Sequence, residues 1–140
     1  MRVVLDTNVV ISGMFFGGLP SRILGAWERG AFEWVVSTPV LDEYRRVGAE
    51  LGVRHPARRA VVEALLGAVR DRATMIFARP LATPLSDDPD DDKFFALGLA
   101  ARARVIVSGD RHVLAHDGWR GIAVCTPRLF VERYGAQVGI

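Results

Sequence analysis

Apolar positions along this chain fall in short unbroken runs, and between them lie longer stretches with a helical period. Arg2–Leu5 (RVVL), Phe32–Ser37 (FEWVVS), Thr74–Ala78 (TMIFA), Arg104–Ser108 (RVIVS) and Gly121–Cys125 (GIAVC) read as strands. Their apolar runs lack the polar alternation of a sheet wetted on one face, so both faces should be covered. Ser21–Gly30 reads as a helix closed by Gly30. A second helix starts with Thr38 as N-cap and Pro39 at its first position. Pro56–Arg72 is amphipathic, with Val61, Leu65 and Val69 along its apolar stripe. Asp88-Pro89 repeats the cap-then-proline signature and opens a helix through about Arg102, and Thr126-Pro127 opens a last one that stops near Gly135. Strands alternating with helices predict an α/β fold: an α/β/α sandwich around a central, mainly parallel five-stranded sheet. The length fits one domain over residues 1–140.

Composition narrows the class. Half of the residues are apolar and 24% are charged, which excludes a disordered chain. No apolar run approaches the roughly 18 residues needed to span a bilayer, so no membrane role is expected. The N-terminus meets Asp6 too early for a signal peptide. Cys125 is the single cysteine, so no internal disulfide or thiolate metal cage can form, and a reducing cytoplasmic setting is the default expectation. The net charge is only +2, but Lys93 is the sole lysine among 18 basic residues. Arginine forks grip phosphate oxygens in pairs, so nucleic acid is an allowed partner; arginine-favouring codon usage explains the same bias.

The carboxylates change the picture more. In a parallel α/β sheet, ligand sites gather beyond the carboxyl ends of the strands. Asp6 directly follows RVVL, and Asp110 stands just past RVIVS. Glu43 lies near the first turn of the helix after the second strand, and Asp92 lies in the helix before the fourth. These four acids can meet at one edge, where their mutual repulsion calls for protons or cations. Oxygen ligands suit Mg²⁺ or Mn²⁺, which can polarise phosphate and activate water. Taken alone, Glu43 also reads as an ordinary first-turn acid and Asp110 as the cap of the short turn DRHVLAH; the joint pattern carries the argument. Five of the six residues Asp87–Asp92 are aspartate. Asp88 is the expected cap, and Asp90 and Asp91 face the helix dipole, with Asp91 a candidate outer ligand. Asp92, on the face of Phe95, Ala96 and Leu99, is the expected metal ligand, and Asp87 is a solvated loop residue.

The segments VVLDTNVVISG, STPVLDEYRRV, DPDDDKFFALGLAA and VIVSGDRHVL, in that order, resemble the PIN-domain family, above all its toxin-type, VapC-like members. The likeness runs from about Arg2 to Tyr134. It implies a parallel sheet of order 3-2-1-4-5 and an acidic quartet of Asp6, Glu43, Asp92 and Asp110 that binds Mg²⁺ or Mn²⁺ and cleaves RNA. It also implies that Asn8 orients the first acid, that Ser108 holds water or phosphate, and that Asp91 is an extra acid of the subgroup. A cognate antitoxin protein and a homodimer are further implications. Two departures stand out. Arg111-His112 occupies the place of a usual Lys-Asp, removing an accessory acid and adding a cation, and GAELGVRHPARR differs from the usual continuation.

Weaker signals remain. Arg45, Arg46, Arg54, Arg58 and Arg59 could track an RNA backbone toward the acids, as could Arg111, or form solvated helix faces. His112 and His116 have a helical metal spacing but lack the glutamate of a zinc protease motif. Trp27, Trp34, Phe94 and Phe95 read as core, and FFGGLP reads as a turn rather than a phosphate loop. Two other functions compete. A haloacid-dehalogenase-type phosphatase also places an aspartate after its first strand, but it needs a second acid where Asn8 stands. A non-catalytic RNA-binding domain would have lost its metal, which an intact quartet argues against.

Overall fold

Five short strands lie side by side in the computed structural model, which describes residues Met1–Ile140. They are β1 (Arg2–Leu5), β2 (Glu33–Val36), β3 (Thr74–Met75), β4 (Val105–Val107) and β5 (Ala123–Cys125). Every pairing is parallel, and the order is β3-β2-β1-β4-β5, as the resemblance implied. Val3, Val4 and Leu5 are consecutive and wholly buried. Successive strand side chains point to opposite faces, so β1 must be covered on both. Seven helices provide that cover: α1 (Thr7–Phe15), α2 (Gly18–Glu28), α3 (Thr38–Arg54), α4 (Arg59–Arg72), α5 (Asp92–Ala101), α6 (Arg111–Leu114) and α7 (Pro127–Val138). One apolar cluster of 35 buried residues ties sheet and helices together, and it includes Trp27, Trp34, Phe94 and Phe95. No single helix is long and apolar enough to cross a membrane.

Local chemistry explains the boundaries, including those that differ from expectation. Ser37, not Thr38, caps α3: its Oγ accepts from Val40 N, and Thr38 and Pro39 are already helical. Thr126 caps α7 through Leu129 N at 3.2 Å. Thr7–Phe15 is a helix that the apolar pattern did not reveal, since Val9, Val10 and Ile11 are β-branched strand formers. Four of the five residues Thr7–Ile11 are buried, so packing outweighs that local preference. Gly17 and Gly18, with φ of 71° and 68°, turn the chain from α1 into α2, which therefore begins ahead of the expected Ser21. On α4 the buried stripe is Val62, Leu65 and Val69; Val61 points to solvent. Val62 is chosen because α3 offers Gly48 opposite it, where an added Cβ would stand 3.0 Å from Val62 Cγ1. β3 pairs over two residues only, so the expected strand through Ala78 is cut short, leaving Phe77 exposed.

Candidate functional site

β1 ends at Leu5 and hands the chain to Asp6; β4 ends at Val107 and hands it to Ser108, Gly109 and Asp110. Leu5 and Val107 are register partners, so both acids emerge at the same edge of the sheet. Asp6 N donates to Val107 O at 2.9 Å, which fixes the first acid against the neighbouring strand. Ser108 is wholly buried. Its hydroxyl donates to Asp6 Oδ2 at 2.5 Å and accepts from Asp110 N at 3.0 Å. The Ser108 hydroxyl thus links two of the acids. Asp110 also caps α6, its Oδ1 accepting from His112 N at 2.8 Å. The structural reading of Asp110 and its place at the acidic edge are therefore compatible.

Asp6 is only 4% exposed. Burial pushes its carboxyl above the usual range; the Ser108 hydrogen bond opposes this, and the charges of Glu43 and Asp110 add to it. The Asn8 backbone amide also favours the ionised form. The Asn8 side chain is exposed, so the orienting role expected of it falls to Ser108.

α3 brings Glu43 to the same edge in its second turn. Both carboxylate oxygens are engaged by the chain itself. Oε2 accepts from the Thr7 hydroxyl, and Oε1 lies 2.6 Å from Lys93 Nζ and 3.8 Å from Arg46 Nη2. The next residue, Tyr44, is wholly buried. Its hydroxyl donates to Leu5 O, the carbonyl just before Asp6, and accepts from Trp34 Nε1 at 3.4 Å. Burial and the nearby acids push that phenol far above its ordinary range, so it stays protonated and a donor.

The aspartate-rich segment divides its charges. Asp88 caps a short 3₁₀ turn over Pro89–Asp91, accepting from Asp90 N at 3.0 Å. Asp90 pairs with Lys93 at 2.8 Å, which holds its carboxyl below the usual range. Asp91 is buried, with only the Ser86 hydroxyl as partner, at 3.4 Å. Burial pushes its carboxyl up to about 6, and Asp110, Asp88 and Asp6 contribute in that order. Asp92 is held by backbone amides. Its two oxygens accept from Leu85 N at 3.1 Å and Ser86 N at 2.9 Å, pinning the preceding loop. The charges of Asp110 and Asp6 bear on Asp91, while Asp92 is held by the amides of the loop. Counting from Pro89 as a regular α-helix put Asp92 on the inner face; the 3₁₀ turn advances the chain by a different angle and moves Asp91 there. Leu99, expected on that inner face, is 42% exposed.

Sequence reasoning did not single out Thr7 or give Lys93 a role. Thr7 follows the first acid, and Lys93 is the lone lysine at the end of an acidic run; only the fold shows that both reach Glu43. Arg45, Arg46 and Arg111 are exposed. Arg46 is 3.7 Å from Glu50, and Arg45 is 3.9 Å from Asp42. α6 stops at Leu114, so His112 and His116 share no helix face, and the His116 ring sits edge-on against Phe95 at 5.7 Å.

The donor set can be tested against a metal. No three Asp, Glu, His or Cys side chains are gathered tightly enough to enclose an ion. Asp6 and Asp91 are nevertheless desolvated carboxyls, and the charge of the half-buried Asp110 bears on both. Mg²⁺ typically keeps several of its own waters and takes only one or two carboxylates directly, so it does not need three side chains closed around it.

A family profile described as PIN domain matches residues 2–112, from β1 through Asp110 into α6. No curated protein matches the chain.

Proposed function

This chain belongs to the PIN-domain family, whose members are generally nucleases, and we propose that it is a divalent-metal-dependent endoribonuclease. One observation carries the reading. Asp91 is a buried carboxyl with a single weak partner, raised to about 6 among the charges of Asp110, Asp88 and Asp6. A carboxyl so placed has no structural duty that its surroundings reward, and cation binding would relieve its cost.

Asp6, Asp91 and Asp110 would hold Mg²⁺ or Mn²⁺. When bound, such an ion polarises a phosphodiester and lowers the pKa of a water. Ser108 keeps Asp6 Oδ2 aimed and ties the Asp110 backbone to it. The Val107 carbonyl restrains Asp6 from behind. Arg45, Arg46 and Arg111, exposed beside this edge, would neutralise the RNA backbone. The likeness of the sequence segments to toxin-type members extends the proposal: a cytoplasmic toxin, homodimeric, restrained by a cognate antitoxin. The haloacid-dehalogenase alternative gains nothing from the structure, since position 8 offers an exposed amide side chain in place of a general acid.

The test is RNA cleavage by the purified chain with Mg²⁺ or Mn²⁺, with EDTA, and in Asp6→Asn. Cleavage should require the metal and fall by about a hundredfold or more in the variant. Cleavage that persists in EDTA, or is undiminished in Asp6→Asn, overturns the reading.

A further inference from the structure

An open groove leads away from the acidic edge. Its inner part, about 330 Å³, is lined by Ser37, the cap of α3, and by Lys93, whose ammonium touches Glu43. Pro80, Leu81, Pro84 and Ala96 wall both this part and an outer one of about 560 Å³, so the two are continuous. β3 ends at Met75, paired with Val36 at the end of β2, and the chain then passes into the outer part. Phe77, Arg79, Trp119 and Arg120 line it. Phe77 is 86% exposed. Neither Arg79 nor Arg120 forms a salt bridge. Arg120 has φ of 53°, in the left-handed region that an L residue enters at a cost. Its guanidinium lies 5.6 Å from the centre of the Trp119 ring, and that ring stands edge-on against buried Phe95. Strain of this kind persists only where its surroundings fix it. Here it keeps an unpaired guanidinium beside an indole.

Resting on the nuclease reading, we infer that this groove is a subsite for an unpaired stretch of RNA flanking the bond to be cleaved. Phe77 and Trp119 stack on its bases, and Arg79 and Arg120 meet its phosphates. Bases splayed out of a strand stack on aromatic rings and guanidinium planes, while cations follow the backbone between them. The exposed Phe77 ring and the Trp119–Arg120 pair supply the first requirement, and the two unpaired guanidiniums supply the second. Charge selects the occupant. The one acid in the groove, Asp92, already has both oxygens on backbone amides. A second copy of the chain docked by the same patch would bring Arg79 and Arg120 against themselves, with no free carboxylate to offset them. A polyanion with apolar faces gains from both the rings and the cations. Paired RNA keeps its bases stacked and out of reach. The substrate class that follows is single-stranded RNA.

Binding measured in EDTA separates this from cleavage. The probes are a short fluorescein-labelled single-stranded RNA of mixed sequence and the duplex of the same sequence, followed by anisotropy. Phe77→Ala should weaken binding of the single strand about tenfold and leave the duplex unchanged. Arg79→Gln combined with Arg120→Gln should lower the slope of log affinity against log salt by about 1.4. Phe16→Ala removes a comparably exposed ring outside the groove and should change neither quantity. Single-stranded RNA should quench the tryptophan fluorescence of the wild type, and Trp119→Phe should abolish the quenching, since Trp27 and Trp34 are buried. Phe77, Arg79 and Arg120 are exposed, so their variants should fold, which thermal unfolding checks. With Mn²⁺ present, Phe77→Ala should raise KM for the single strand and leave kcat unchanged. Cleavage by the wild type, with single-strand affinity unaltered in the Phe77 and arginine variants, overturns this inference alone. An equal loss in Phe16→Ala does the same. So does a dimer that Phe77→Ala dissociates in sedimentation while RNA binding stays intact, which assigns the groove to a second copy. Groove-dependent binding with no metal-dependent cleavage keeps the subsite and overturns the nuclease reading beneath it. No binding of RNA by the wild type overturns both.

Discussion

Asp91 and Asp92 are neighbours in sequence and belong to opposite kinds of region. Asp92 belongs to the loop before α5, where two backbone amides hold its carboxylate oxygens. Asp91 belongs to the edge where β1 and β4 end, where it meets other acids and one distant hydroxyl. Asp91 is buried and Asp92 half-buried, but that difference of degree does not explain the two roles. The supply of partners does. A carboxylate surrounded by N–H donors is a structural joint, and one surrounded by carboxylates favours the binding of a cation.

The widest separation should appear in catalysis. If the comparison is right, Asp91→Asn lowers Mn²⁺-supported RNA cleavage by about a hundredfold or more, while Asp92→Asn stays far closer to wild type. Equal losses in parallel assays would erase the distinction. Stability should show the reverse. Asp92→Ala leaves the Leu85 and Ser86 amides without their acceptor and should cost about 2–3 kcal/mol in urea unfolding. Asp91→Asn should not destabilise the metal-free protein at neutral pH. The pH dependence sharpens this further. The Asp91 carboxyl is raised to about 6, so the folded chain holds its proton more tightly than the unfolded chain does. The stability it contributes is full below about pH 4, the unfolded value, and is lost as pH rises through about 6. In EDTA stability should fall across that window, and Asp91→Asn should remove most of the fall. A flat stability profile for the wild type over that window would break the assignment. The smallest effect belongs to Ser86, whose hydroxyl donates to Asp91 and accepts from Asp88 N at 3.3 Å. Ser86→Ala should cost about 1 kcal/mol and lift the Asp91 titration further, visible by carbon-detected NMR.

How much of this was legible beforehand depends on how local the cause is. The parallel sheet, the Asp6 and Asp110 positions and the Asp88 cap follow from short-range patterns, because a strand's end and a helix's start are written in a few adjacent residues. Where the structure differs from expectation, the cause is phase. The choice between Asp91 and Asp92 turned on a 3₁₀ turn that no residue type announces, and the choice between Val61 and Val62 turned on a glycine of another helix. Thr7–Phe15 was obscured because its β-branched residues favour strands, and only tertiary packing reverses that preference. The Lys93–Glu43 pair was invisible for the plainest reason: its members stand fifty positions apart in the chain.

Tyr44 gives α3 a second hold on this edge. Through its hydroxyl, the helix that carries Glu43 also clamps the last carbonyl of β1. Any tilt of α3 would therefore be felt as a rotation of the peptide that launches Asp6. A ligand pressing on the outer arginines of that helix would not need to touch an acid to misalign one; it would only have to lean on the lever.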